Sequence, residues 1–113
     1  MACNEQATYT VGETVLVFAD IRDLQNNRVG PTPKPVVEYA LCPQHLLTPS
    51  TSWTQIPDVQ VEHSPSGWRV DGVDVGQWRA WFVAPSYSGR LSYRFLYTDT
   101  FTGIETGEIT VEP

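Results

Sequence analysis

The last third of the chain decides the fold, because it contains three aromatic-rich extended runs separated by short turn signals. The runs are Gln77-Trp-Arg-Ala-Trp-Phe-Val-Ala84, Arg90-Leu-Ser-Tyr-Arg-Phe-Leu-Tyr-Thr98 and Glu105-Thr-Gly-Glu-Ile-Thr-Val111. The breaks between them are Pro85-Ser-Tyr-Ser-Gly89 and Thr100-Phe-Thr-Gly103. Apolar residues recur in these runs with the period of two that strands show. They predict the closing meander of a β-sandwich.

Strand patterns continue toward the N-terminus. They cover Val15 to Ile21, Val36 to Cys42, Trp53 to Ile56, Asp58 to Glu62 and Trp68 to Val75. We expect Ser64-Pro-Ser-Gly67 to form a turn. We expect Gly72 to bend or bulge the strand that contains it, Trp68 to Val75. The total is seven or eight strands at a spacing of 8 to 14 residues, with no helical periodicity. This spacing predicts an all-β, antiparallel β-sandwich.

Length and charge limit the range of functions. A chain of 113 residues is of ordinary domain size, so we expect one domain over residues 1–113 with a single core. The net charge is −6, and Lys34 is the only lysine. An acidic surface repels nucleic-acid phosphates and anionic lipids, so the composition disfavours nucleic-acid and membrane partners.

The two cysteines, Cys3 and Cys42, fit neither a disulfide scaffold nor a zinc site. A bridge between them remains open, although two free thiols in a reducing cytoplasm are the favoured interpretation. The first residues, Met1-Ala-Cys-Asn-Glu, contain no basic or apolar segment of a secretory signal, and no apolar run reaches transmembrane length. We therefore expect a protein that is made and assembled inside a cell.

Catalytic and metal-binding patterns are weak. His45 and His63 are the only histidines, no nucleophile-elbow motif occurs, and a solvated position in or beside a loop is the favoured interpretation of each histidine. Asp71 and Asp74 flank Gly72, but a calcium site requires six or more oxygen ligands. We therefore predict no catalytic residues, no metal and no cofactor.

The aromatic residues divide between core and surface by alternation. Trp78, Ala80 and Phe82 are predicted to face the core, with Arg79 and Trp81 on the opposite face. The core is also expected to contain Leu91, Tyr93, Phe95, Tyr97, Ile109 and Val111. Three interpretations of Arg79 with Trp81 stay open: a protein contact, ordinary surface packing or burial between sheets, and a platform that stacks on sugar.

Several short motifs together resemble a known family. They are Gly12-Glu-Thr-Val15-Leu-Val17, Asp23 with an Asn-rich turn, Val36 to Leu41 before Pro43, Gly67-Trp68-Arg-Val70, Gly89-Arg-Leu-Ser-Tyr93-Arg94-Phe95 and Gly107-Glu-Ile109-Thr-Val111. This arrangement resembles the small immunoglobulin-like accessory proteins of tailed bacteriophage virions. The Pro-rich stretch before Val36 and the long Gln44 to Thr54 loop depart from that pattern.

The resemblance implies an immunoglobulin-like sandwich without enzymatic activity, present in the virion as a capsid decoration protein, a neck or collar part, or a tail accessory. It further implies contacts with other virion proteins, multiple copies per particle, and synthesis in the host cytoplasm. We predict that Arg79 and Trp81 on the sheet face, with His45, Leu46 and Leu47 in the long loop, make these contacts. The alternative is a carbohydrate- or cell-surface-binding module whose exposed tryptophans stack on sugar.

Overall fold

The computed structural model describes residues 8–42, 53–84 and 89–113, with Leu41 and Cys42 described in their backbone only. These residues form eight strands. They are β1 (Thr8–Thr10), β2 (Thr14–Ala19), β3 (Val36–Cys42), β4 (Thr54–Gln55), β5 (Val61–Val70), β6 (Val73–Val83), β7 (Gly89–Thr98) and β8 (Thr102–Glu112). No helix in this part of the chain is long and apolar enough to cross a membrane.

The strands form two sheets that pack as a β-sandwich. One sheet has five strands in the order β1-β8-β7-β3-β4, and the other has three in the order β2-β6-β5. The second order matches the B-E-D strands of an immunoglobulin-like sandwich, and β8-β7-β3-β4 matches its G-F-C-C′ strands. All paired neighbours are antiparallel except β1 and β8, which are parallel. The predicted all-β sandwich is confirmed.

The core lies between the two sheets and contains the side chains that alternation placed there. Trp78, Ala80 and Phe82 of β6 are buried, and Phe82 stacks on Tyr39 of the facing sheet with ring centroids 4.4 Å apart. The predicted inward residues of β7 and β8 are also buried, namely Leu91, Tyr93, Phe95, Tyr97, Ile109 and Val111. Alternate residues share one face of a strand, so a single buried face fixes this set.

The hairpin between β5 and β6 differs from the sequence prediction. Ser64 to Gly67, expected as a turn, lies within β5, where the register against β6 shifts between His63 and Trp68. The turn instead falls at Asp71 and Gly72, both of which have positive φ, at 52° and 79°. Two successive residues of positive φ are typical of a two-residue hairpin turn whose twist matches that of the flanking strands. Gly72 is therefore the turn residue and not a bulge within one strand.

The strand expected over Asp58 to Glu62 is also only partly correct. Residues Asp58–Gln60 form a 3₁₀ turn, in which the Gln60 amide donates to the Pro57 carbonyl at 2.9 Å, and β5 begins at Val61. Proline fixes its own φ near the value that a turn requires, so Pro57 favours a tight turn at this point. The alternation of apolar residues did not distinguish this short turn from a strand.

Candidate functional site

The sequence placed Arg79 and Trp81 on the outside of the sandwich, and both lie on the outer face of the three-stranded sheet. They belong to β6, the central strand of that sheet, where Trp81 pairs with Leu16 of β2. Arg79 pairs with Phe18 of β2 on one side and with Glu62 of β5 on the other. We call this surface, formed by Thr14, Leu16, Phe18, Glu62, Arg79, Trp81 and Val83, the three-stranded outer face.

The Arg79 guanidinium is held by two neighbours on β5. Its Nε and one terminal nitrogen donate to Oε1 of Glu62, at 2.9 and 2.5 Å. Its central carbon lies 3.6 Å from the centroid of the Trp68 ring, a stacked cation–π contact. The tryptophan that contacts the Arg79 cation is therefore Trp68. We call Arg79, Glu62 and Trp68 the Arg79 cluster.

Apolar side chains surround Trp81 on the same face. Trp81 and Phe18 are half-buried, Leu16 is 38% exposed and Val83 is 55% exposed. The only charged groups among the residues of this face are Arg79 and Glu62, which neutralise each other. The three-stranded outer face therefore presents aromatic and aliphatic surface next to one compensated ion pair.

A second cluster of the same composition lies on the outer face of the five-stranded sheet. Arg94 of β7 donates to Oε1 of Glu38 on β3, at 2.8 Å from Nε and 2.7 Å from a terminal nitrogen. Its central carbon lies 3.9 Å from the centroid of the Trp53 ring. We call these three residues the Arg94 cluster. The sequence alone does not reveal this cluster, because Arg94 and Glu38 become neighbours only once β3 and β7 are paired in register.

The surroundings of the Arg94 cluster are more mixed. One cross-strand row is apolar and consists of Val36, Leu96 and Ile104, which is 57% exposed. The next two rows on one side are polar: Arg94 pairs with Thr106, and the Ser92 hydroxyl donates to Glu108 at 3.4 Å. On the other side Thr98 pairs with Thr102. This sheet thus has one apolar row between polar rows, whereas Leu16, Phe18 and Val83 all adjoin Trp81 on the three-stranded outer face.

The tryptophans are unequally available to a sugar. Trp78 is fully buried, and an arginine covers one face of each of the Trp53 and Trp68 rings. A sugar platform needs an uncovered aromatic face. Of the four tryptophans, Trp81 is the one that is neither fully buried in the core nor stacked against an arginine.

His63 is not a loop residue, contrary to the sequence interpretation. It lies in β5 opposite Trp78, and its ring meets the indole edge-on with centroids 4.8 Å apart. Asp74 is likewise engaged, because its carboxylate accepts from Arg28 at 2.6 Å and from the Gly76 amide at 2.9 Å. In the described part of the chain no group of three or more acidic, histidine or cysteine side chains is placed to hold a metal ion.

The other predicted residues lie outside the described part of the chain. His45, Leu46 and Leu47 fall in residues 43–52, and Cys3 precedes Thr8. The predictions for the long loop and for a Cys3 to Cys42 bridge therefore stay predictions.

A third arginine, Arg28, links the segment that follows β2 to strand β6. Arg28 pairs with Asp20 at 3.3 Å and with Asp74 of β6 at 2.6 Å. Beside it the buried Gln77 accepts from the Ile21 amide at 3.1 Å and donates to the Ile21 carbonyl at 2.7 Å. The hydrogen bond from Arg28, followed by that from Gly76, lowers the pKa of the Asp74 carboxyl below its ordinary value. These bonds attach the segment after β2 to β6.

No known protein family, curated protein or solved structure matches this chain.

Proposed function

We propose that this chain is a non-enzymatic structural protein of a tailed bacteriophage virion, and that it works through contacts with other virion proteins. The observation that carries the contact role is the three-stranded outer face, where Leu16, Trp81 and Val83 expose apolar surface beside the Arg79 cluster. Aromatic residues and arginine are the types most enriched where protein interfaces bind tightly.

The Arg79 cluster favours burial under a partner. Removing an unpaired charge from water is costly, whereas Arg79 already bonds Glu62 and stacks on Trp68 before any partner arrives. A partner that covers this face removes one compensated ion pair from water, and it buries the apolar surface of Trp81 and Leu16. A specific interface needs about 800 Å² on each side, which one face of a small sandwich can supply.

The virion assignment rests on the resemblance of the sequence motifs. The net charge of −6 suits such a place, because an acidic surface resists adhesion to DNA and to other acidic particles. Several copies per particle, as a capsid, neck or tail part, belong to the same proposal. A carbohydrate- or cell-surface-binding module is the second candidate, and the half-buried Trp81 is the residue that favours it.

The test compares Trp81→Ala with Ile104→Ala, a matched control that removes an exposed apolar side chain from the other sheet. Each variant replaces the gene in the phage, and mass spectrometry of purified particles measures copies per particle. We expect Trp81→Ala to weaken binding about 30-fold, the factor that corresponds to a loss of 2 kcal/mol at an interface hot spot. Ile104→Ala should be incorporated normally.

Two results contradict the proposal. One is normal incorporation of Trp81→Ala, or an equal loss in Ile104→Ala, which would remove the three-stranded outer face as the contact. The other is saturable quenching of tryptophan fluorescence by a glycan that disappears in Trp81→Ala, which would establish the sugar-binding alternative. Urea unfolding of both variants checks that lost incorporation does not follow from lost stability.

A further inference from the structure

Strand β2 is an edge of its sheet, and half of its backbone groups point away from β6. The Ala84 amide donates to the Glu13 carbonyl at 2.8 Å, so Glu13 faces β6. In a strand, successive residues direct their backbone groups to opposite sides, and Thr14, Leu16 and Phe18 therefore face the free edge. The Tyr9 hydroxyl agrees with this direction, because it reaches the Leu16 carbonyl at 3.3 Å from the other sheet.

The other strand edges in the described residues are short, interrupted or charged. Strand β8 pairs with β1 only over Thr110–Glu112, and the rest of its edge contains Glu105, Gly107 and Glu108. Strand β1 has three residues and β4 has two. Strand β5 is long, but it contains Pro65 and a register shift, two of the features by which proteins prevent strand addition at an edge. Strand β2 has the sequence Thr-Val-Leu-Val-Phe-Ala, without charge, proline or glycine. Its own sequence thus lacks these protecting features, and its residues favour strands.

An apolar cavity opens beside this edge. Its volume is about 380 Å³, and residues of both sheets line it, among them Tyr9, Leu16, Phe18, Val70, Val75 and Tyr93. A cavity of this size lies within the range of ordinary ligand pockets. It can accept apolar side chains from a strand laid along β2, while the edge amides and carbonyls bond the backbone of that strand.

Two carboxylates near the start of β2 indicate which charge an added strand carries beside its apolar residues. Glu13 precedes Thr14, and the Glu112 carbonyl accepts from the Val11 amide at 2.8 Å in the turn before it. Both glutamates are exposed, and neither forms an ion pair with any of the described residues. Two such carboxylates attract a basic side chain on a partner.

We propose that the free edge of β2 binds an extended segment of another virion protein by strand addition. The segment has apolar side chains that enter the cavity beside Tyr9 and Leu16, and a basic residue that lies near Glu13 and Glu112. Its backbone bonds the edge groups of Thr14 and Phe18 and the Leu16 amide, because the Leu16 carbonyl already accepts from the Tyr9 hydroxyl. This inference rests on the proposed function, which it deepens by naming the kind of partner.

Amide hydrogen exchange of the chain in purified particles, compared with the isolated chain, tests the proposal. We expect exchange in peptides spanning Thr14–Ala19 to slow about tenfold or more in the particle, because edge amides become hydrogen-bonded. Slowing confined to β5 and β6 would overturn strand addition while leaving the proposed function in place. A chain absent from particles, or unchanged within them, would overturn both.

Two controls on the isolated chain identify other occupants of the edge. Slower amide exchange in the same peptides at higher protein concentration would show that a second copy of the chain binds at this edge. Slow exchange that becomes fast after deletion of residues 1–7 would show that the chain's own beginning covers β2. Either result overturns the proposal.

A proline variant gives a second, independent test. Thr14→Pro removes one edge amide without adding charge, at a position where the amide is not bonded to β6. Incorporation into particles should fall about tenfold, whereas Ser66→Pro, on the interrupted β5 edge of the same sheet, should leave it unchanged. Equal incorporation of both variants, with Thr14→Pro folded by urea unfolding, would contradict strand addition.

Discussion

The Arg79 and Arg94 clusters have the same composition on opposite sides of the sandwich. In each, a guanidinium bonds a glutamate of the adjacent strand and stacks on a tryptophan, with the central carbon 3.6 or 3.9 Å from the ring centroid. They differ in burial, since the Glu62 side chain is 42% exposed and that of Glu38 is 18% exposed. They differ also in surroundings: Phe18 and Trp81 adjoin Arg79, whereas Arg94 lies between one apolar row, that of Leu96, and one polar row, that of Ser92.

The difference shows that the clusters themselves do not mark a binding site. Both cover a tryptophan ring with a cation whose charge is compensated, and this stabilises an outer sheet face without leaving a bare indole in water. What separates the two faces is the set of neighbours that a partner would touch. The proposal for Trp81 therefore depends on Leu16, Phe18 and Val83 more than on Arg79.

The largest expected effect that separates the clusters concerns stability. Arg94→Ala leaves the more buried glutamate, Glu38, without its partner, and we expect it to lower the free energy of unfolding by about 2 kcal/mol. Arg79→Ala leaves Glu62, which water reaches more easily, and we expect a loss of about 1 kcal/mol. Urea unfolding followed by tryptophan fluorescence measures both values.

Removing the carboxylate together with the arginine checks the cause. The double variant Arg94→Ala with Glu38→Gln should recover part of the stability that Arg94→Ala loses, because no buried charge remains unpaired. The corresponding double variant at Arg79 and Glu62 should recover little. If Arg79→Ala proves the more destabilising of the single variants, burial of the glutamate does not control the difference.

Much of the fold was predictable because one buried face fixes the alternation along each strand. Trp78 and Trp81 lie three residues apart on β6, and alternation alone correctly assigned the first to the core and the second to the outside. Local turn chemistry was less reliable. Ser64-Pro-Ser-Gly67 has the composition of a turn, yet it lies in an edge strand, where a proline and a shift in register are tolerated.

The partners of the arginines could not be predicted, because they depend on strand register. Glu62 lies 17 residues before Arg79, and Glu38 lies 56 residues before Arg94. Nothing in the local sequence distinguishes these glutamates from the chain's other carboxylates. The β2 edge was missed for a similar reason, since its free backbone groups follow from which strands pair and not from its own composition.

A smaller effect tests whether the two stacked contacts are equivalent. Double-mutant cycles of Arg79→Met with Trp68→Leu, and of Arg94→Met with Trp53→Leu, should each give a coupling energy of about 0.5 to 1 kcal/mol. Methionine retains the apolar stem and removes the charge. A coupling near zero in one cycle and not in the other would show that the clusters, although alike in geometry, differ in energetics.

The smallest effect is expected at Arg28, which pairs with Asp20 and Asp74. No aromatic ring stacks on this arginine in the described residues, so it reports the contribution of charge alone to stability. The hydrogen bond from Arg28 lowers the pKa of the Asp74 carboxyl below its ordinary value, so the folded state favours the ionised carboxylate. That stabilisation is present above the unfolded-state pKa and is lost as pH falls through the folded-state pKa. The difference in Tm between the native chain and Asp74→Asn should therefore shrink on acidification from about pH 6 to about pH 3, around the ordinary aspartate range. Asp71→Asn, which removes an exposed carboxylate from the same hairpin, is the control for the change in net charge. A constant difference for Asp74→Asn would mean that its ion pair does not stabilise the fold.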